Sequence, residues 1–185
     1  YSNINTVPKV TEDLLLRALN PDTGSSCLIG PPGCGKTSAV SALANVFISG
    51  DQPNTRKLPV ELQTMKILQL DVTYLGSQLG IIGNLEKMVA AIKSEYQKYS
   101  QCILFVDEAH TLADMGHHST NRSTNILQML KPDLATGALK VIFATTFDEY
   151  KFIEVDKALK RRVKPIQMPT PSQEDIEAII TNNLL

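Results

Sequence analysis

The 185-residue chain carries 43% apolar and 20% charged residues, a balance that speaks against a disordered segment and suits one folded domain with a full core. Its net charge of −1, with basic residues scattered among acids, offers no broad electrostatic footprint for a polyanion and weighs against nucleic acid as a partner. No apolar run reaches membrane-spanning length, so no membrane insertion is expected, and the three cysteines lack C-x-x-C spacing, which fits a reducing compartment, cytoplasmic or organelle matrix.

The chain begins on Tyr1 rather than Met, the expectation for a segment of a longer protein. Thr11 to Asn20 reads as an opening helix, with Glu12 and Asp13 in the first turn where the helix dipole favours acids. Residues 26–29 (SCLI) form the first predicted strand, followed by a helix from Lys36 to Ile48 that Gly50 and Pro53 stop. A second buried strand spans 66–71 (KILQLD). Between Asn84 and Tyr99, the residues Leu85, Met88, Val89, Ile92, Tyr96 and Tyr99 recur every three or four positions, the stripe of a helix packed on a sheet. Buried strands follow at 102–106 (CILFV) and 139–144 (LKVIFA), with a polar loop from Gly116 to Thr124 between them. A weaker fifth strand covers 163–168 (VKPIQM), where Pro165 argues for a sheet edge. Pro169-Thr170-Pro171 reads as a linker, and Ser172 with Asp175 caps a helix running towards Leu185. Short strands alternating with amphipathic helices predict an α/β fold with a parallel five-stranded sheet flanked by helices. The expected domains are an α/β unit at 1–168 and, at 169–185, a linker with the first helix of a second, helical unit.

Residues 30–37 read GPPGCGKT, matching G-x-x-x-x-G-K-[ST] between a predicted strand and a predicted helix, the context a P-loop requires. Gly33 and Gly35 let the backbone wrap phosphates with its N–H groups inward, and the helix N-terminus adds its positive end. The expected nucleotide-binding set is Gly30, Pro31, Pro32, Gly33, Cys34, Gly35, Lys36, Thr37 and Ser38, with Lys36 on the β- and γ-phosphates and Thr37 on Mg²⁺. The strand at 102–106 delivers Asp107 and Glu108 at its C-terminal end, where open α/β sheets place ligands. Asp107 is expected to hold Mg²⁺ through water, and Glu108 to orient and polarise the attacking water. Thr146 ends the next strand, where it can bond the attacking water or the γ-phosphate, although β-propensity alone also explains a strand-end threonine. Arg161 and Arg162, after a short helix, are either fingers presented to a neighbouring subunit's site or an exposed basic pair. His110 is expected at the sheet edge, and His117 and His118 have no partners at metal-ligand spacing.

In order, these motifs resemble the first AAA+ module of the Clp chaperone ATPases, the ClpA, ClpB and ClpC kind, from about residue 7 to the end. The resemblance rests on LIGPPGCGKT, on ILFVDEAHTL, and on NILQMLKPDLATGALKVIFATTFDEYKFIEVDKALKRRV. It implies a P-loop NTPase of AAA+ type with the start of a helical lid, a sensor threonine at Thr146 and trans-acting fingers at Arg161 and Arg162. It also implies ATP and Mg²⁺, a homo-oligomeric ring that is hexameric in that family, protein substrates, and adaptor or peptidase partners. The letters D-E-A-H within the second segment also name a helicase family, whose other first-domain motifs are not found in residues 38–102.

Two departures from the family stand out. The substrate-gripping loop after the second strand, aromatic with a basic neighbour in Clp unfoldases, here reads LGSQLGIIGNLEKM, with Ile81 and Ile82 at the two positions. Isoleucine can grip by apolar packing. Otherwise the module is a nucleotide-dependent assembly scaffold with a degenerate pore loop that translocates nothing. The segment TVPKVTED also differs from the family's adenine-binding stretch, where Val7 is the candidate contact.

Overall fold

The computed structural model describes residues 25–49, 64–82, 85–99, 101–115 and 125–169, together with positions 10, 11, 13, 14 and 62, and for 79–82 the backbone alone. The proposed linker and lid helix beyond residue 169, the loop at 116–124, the helix stop at Gly50 and Pro53, and Val7 lie outside the described residues. Of the opening helix, Thr11, Asp13 and Leu14 are described, and they are helical together with Val10.

Five parallel strands form one sheet: β1 (Ser25–Ile29), β2 (Lys66–Leu70), β3 (Cys102–Val106), β4 (Val141–Thr145) and β5 (Val163–Gln167), in the order β2-β3-β4-β1-β5. The described helices are α1 (Lys36–Ser49), α2 (Val72–Ile82), α3 (Leu85–Gln97), α4 (His110–Asp114), α5 (Ile126–Thr136), α6 (Lys151–Glu154) and α7 (Lys157–Arg162). β1, β3 and β4 are buried at every position, because both sheet faces are covered. Their period-2 alternation divides the core. Cys27, Ile29, Leu104, Val106, Val141 and Phe143 meet Met88, Val89 and Ile92 of α3 and the apolar face of α5. Leu28, Ile103, Phe105, Ile142 and Ala144 meet Ala39, Val40, Leu43 and Phe47 of α1 on the other face.

β5 is an edge strand, as Pro165 suggests, and it pairs with β1 at five successive positions. β2 closes the opposite edge and is half exposed, unlike the buried strand expected from its composition, because only β3 flanks it. β4 begins at Val141, two residues later than expected, since Leu139 and Lys140 approach it outside the ladder.

Two helices differ from the sequence reading. The segment expected as a substrate-gripping loop is helical from Val72 through Ile82, capped by Asp71, whose carboxylate accepts from the Tyr74 amide at 2.8 Å. Ile81 and Ile82 therefore close a helix in backbone terms, while their side chains are not among those described. α5 forms despite Pro132 in its interior. Asn125 caps it by accepting from the Gln128 amide at 2.8 Å, and Ile126, Leu127, Leu130 and Leu134 bury one face. Helical packing thus overrides the local cost of the proline.

Candidate nucleotide site

The site gathers at the C-terminal ends of β1, β3 and β4, where the chain leaves the sheet for helices. A cleft of about 450 Å³ opens there, lined by Pro32, Gly33, Gly35, Lys36, Thr37, Ser38, Asp107, Glu108, His110, Ala144, Thr145, Thr146 and Glu149. The loop after β1 turns through Gly33 and Gly35, both left-handed at φ 75° and 91°, conformations that side chains with a Cβ rarely adopt. α1 starts directly afterwards, so its unpaired N-terminal amides lie beside the cleft. Lys36 curls back over the loop, its Nζ donating to the carbonyls of Gly30 at 2.8 Å and Pro31 at 3.0 Å. Cys34 is buried below it, with its Sγ 3.9 Å from the same ammonium.

Thr37 and Asp107, 70 residues apart in sequence, meet: the threonine hydroxyl donates to Asp107 Oδ2 at 2.8 Å. A hydroxyl and a carboxylate side by side are hard oxygen donors of the kind Mg²⁺ accepts, so the residues present fit that ion. Asp107 also accepts from the Glu108 amide at 3.0 Å. Glu108 itself sits at φ 48°, among the described residues the one left-handed position not occupied by glycine. Its carbonyl is held by the Thr111 amide at 3.0 Å and the Thr111 hydroxyl at 2.8 Å, which sustains the strained turn. The turn leaves the Glu108 side chain exposed and lining the cleft.

Thr146 follows β4, and its hydroxyl is 2.8 Å from Oε2 of Glu149, a residue the sequence reading did not single out. The same oxygen accepts from the Thr146 amide at 3.2 Å and the Thr145 hydroxyl at 3.3 Å. His110 Nδ1 lies 3.1 Å from it, so His110 belongs to the cleft and not to the sheet edge expected for it. The turn after β3 swings His110 over the ends of β3 and β4, a placement that follows from strand order and not from local pattern. Burial raises the Glu149 pKa, but the Thr146 hydroxyl and amide, the His110 charge and the Thr145 hydroxyl outweigh it and hold the carboxyl below its ordinary value. A signal for Glu149 was present in the sequence: T-x-x-E across 146–149 is a capping-box pattern.

Arg161 and Arg162 occupy the last turn of α7, within the helix and not after it, and both are exposed. Neither lines the cleft, whose described walls contain no arginine. Basic residues suit that helix end because the dipole is negative there. Asp156 starts the helix, accepting from the amides of Ala158 at 2.9 Å and Leu159 at 3.2 Å.

A glycine-turned loop opening a helix, facing a strand-end acid pair across a Thr–Asp contact, is the arrangement of a nucleotide-hydrolysing site, and the comparisons with known proteins agree. Residues 26–169 match the ATPase family associated with various cellular activities (AAA). The chain belongs to that family. It is a Clp-type AAA+ nucleotide-binding module: it is 34% identical over 174 residues to the ATP-dependent Clp protease ATP-binding subunit ClpE of Lactococcus lactis, covering 94% of this chain and 22% of that protein. To the chloroplastic chaperone protein ClpC1 of Arabidopsis thaliana it is 37% identical over 155 residues, covering 83% of this chain and 16% of that protein. In fold it is similar to S. cerevisiae Hsp104 solved in an extended conformation with casein, with a TM-score of 0.76 at 29% identity, covering 96% of this chain and 29% of that one. This chain therefore spans about a fifth of the curated relatives' length. Among its described residues, no helix is long and apolar enough to cross a membrane.

Proposed function

We propose that this chain is the Mg-ATP-hydrolysing module of a Clp-like ring chaperone that remodels or unfolds proteins. The observation that carries the reading is the Thr37–Asp107 contact, which joins the P-loop to the acid pair in one cleft. Casein bound to the Hsp104 relative supports polypeptide as the substrate class, and the ClpE relative, a protease's ATP-binding subunit, supports an adaptor or peptidase partner. Three free buried cysteines suit a reducing compartment, cytoplasm or organelle matrix.

In this reading the backbone from Gly30 to Ser38 cradles the phosphates, Lys36 meets the β- and γ-phosphates, and Val7 contacts adenine. Thr37 and Asp107 hold Mg²⁺, which when bound neutralises charge developing on the phosphate oxygens. Glu108 takes a proton from a water whose oxygen attacks the γ-phosphorus. The bond to the bridging oxygen breaks, and ADP leaves with that electron pair. Thr146 bonds in the same cleft, and Arg161 and Arg162 complete a neighbour's site, which suits their exposure and their absence from the described walls of their own cleft. The ring is a homo-oligomer, hexameric as in the family, and Ile81 with Ile82 grips substrate. We take residues 1–168 as the α/β unit and 169–185 as the linker and first lid helix.

The test is the specific ATPase rate of the full-length protein against its concentration. The rate per subunit should climb with concentration and collapse both in Glu108→Gln and in the Arg161→Ala/Arg162→Ala double variant. A monomer with a flat rate indifferent to the arginines would sink the shared-site reading.

A further inference from the structure

Thr146 has one hydroxyl proton, and the structure shows where it goes. Glu149 Oε2 lies 2.8 Å from the Thr146 Oγ1, and the Thr146 amide and the Thr145 hydroxyl donate to the same oxygen, while His110 Nδ1 lies 3.1 Å from it without a hydrogen bond. So many donors gather on one oxygen only when it is a carboxylate anion, which accepts hydrogen bonds and cannot donate. The Thr146 hydroxyl must therefore donate to Glu149. What it keeps for the cleft is its lone pairs.

Two roles are open to a threonine at this position, and they differ in proton direction. The γ-phosphate oxygens are acceptors, so bonding them requires the threonine's proton. A water has two protons: one can pass to Glu108 while the other is accepted by Thr146, which turns the water's lone pair towards phosphorus. With its proton held by Glu149, Thr146 is suited to the second role and barred from the first.

We propose that Glu149 is a positioning residue that commits Thr146 to accepting a hydrogen bond from the attacking water. The inference rests on the hydrolytic reading of the site. Glu149 does not itself touch the reacting atoms; it acts through Thr146. The T-x-x-E spacing also makes a capping interaction with the Thr146 amide, so a purely structural role is the rival. In an ordinary capping box the threonine hydroxyl accepts from the amide three residues on, whereas here it turns to the carboxylate.

The experiment is a double-mutant cycle on the full-length protein with Glu149→Ala and Thr146→Val, reading kcat, KM, and the dissociation constants of ATP and ADP, the ATP constant in a Glu108→Gln background. Glu149→Ala should lower kcat roughly tenfold to a hundredfold, the scale of a misplaced reacting group, with KM and the ATP-to-ADP affinity ratio within about twofold of wild type. Adding Glu149→Ala to Thr146→Val should cost nothing further. Losses that multiply would overturn the inference, as would a raised KM at unchanged kcat. So would an affinity ratio that shifts severalfold towards ATP, which would show the freed proton going to the γ-phosphate. If Glu149→Ala melts early, Glu149→Gln takes its place, since its amide oxygen still accepts from Thr146. Its kcat should stay within about threefold of wild type, and a Gln variant as inactive as Thr146→Val would overturn the inference. Wild-type ATP turnover that is lost in Glu108→Gln is established first; its absence would instead defeat the hydrolytic reading.

Discussion

Replacing Asp156 by alanine should loosen the helix that presents Arg161 and Arg162. α7 is six residues long, too short to persist on its own propensity, and is held by its cap, by Leu159 in the core and by a cross-link to α5. One Asp156 oxygen accepts from the Ala158 and Leu159 amides, and the other pairs with the Lys131 ammonium of α5. The cap is worth about 1 kcal/mol. The ion pair, with side chains 22% and 15% exposed, is less screened than a surface pair and adds about 1 kcal/mol. Losing both, about 2 kcal/mol, multiplies local opening roughly 30-fold. Hydrogen exchange of residues 157–162 reads this directly, since the Lys160 amide bonds the Asp156 carbonyl at 2.9 Å. Asp156→Asn keeps a capping oxygen and loses only the charge, so its exchange should quicken about fivefold, a 1 kcal/mol effect. Exchange within twofold of wild type in the alanine variant would refute the reasoning. Burial raises the Asp156 pKa, but Lys131 and the two amides outweigh it and hold the carboxyl below its ordinary value. A depressed carboxylate stabilises above its unfolded value of about 3.9. Protection of α7, corrected for intrinsic exchange, should therefore be full at neutral pH and decline as pH falls from about 4 through the lower folded value.

Thr37→Ala removes the hydroxyl that meets Asp107, so half-maximal ATP turnover should require roughly tenfold more Mg²⁺, and an unchanged magnesium titration would count against that assignment. A Cβ at position 30 would lie 2.7 Å from Cys34 Sγ and 2.8 Å from Met168 Cβ, too close for either. Gly30→Ala must therefore shift the loop and should weaken nucleotide binding by about tenfold or more in calorimetry; wild-type affinity would show that the loop yields freely. Tyr96 donates from its hydroxyl to the Cys102 carbonyl at 2.9 Å and accepts from the Lys140 amide at 3.1 Å, bridging α3 to the approaches of β3 and β4. Tyr96→Phe leaves both groups without that partner and should destabilise the module by about 1–3 kcal/mol in denaturant melts. Burial pushes that hydroxyl up to about 12. The neutral phenol is thus the stabilising form, and its contribution should fade as pH rises from about 10 towards the folded value.

Legibility varied with the range of the interaction. The P-loop could be read from local letters because its chemistry is backbone chemistry: glycines at φ 75° and 91°, then a helix start, all within eight residues. β3 was bounded to the residue, since a strand buried on both faces is a continuous apolar run. β2 was read as buried because its letters, KILQL, do not reveal that it has one neighbour in place of two. α5 and α2 escaped the reading, the first behind an interior proline and the second behind a glycine-containing stretch that resemblance assigned to a loop.

The sequence by itself determined the P-loop, the strand-end acid pair and the layered α/β architecture, though not the cleft positions of His110 and Glu149, because phosphate cradles, strand runs and helix stripes are written at separations of two to eight residues. The tertiary structure alone decided which groups share a cleft and in which direction their protons point. Thr37 meets Asp107 across 70 residues, and His110 meets Glu149 only because β3 and β4 are neighbours in the sheet. Strand order is set by how the whole chain buries its two apolar faces, and no local window contains that information.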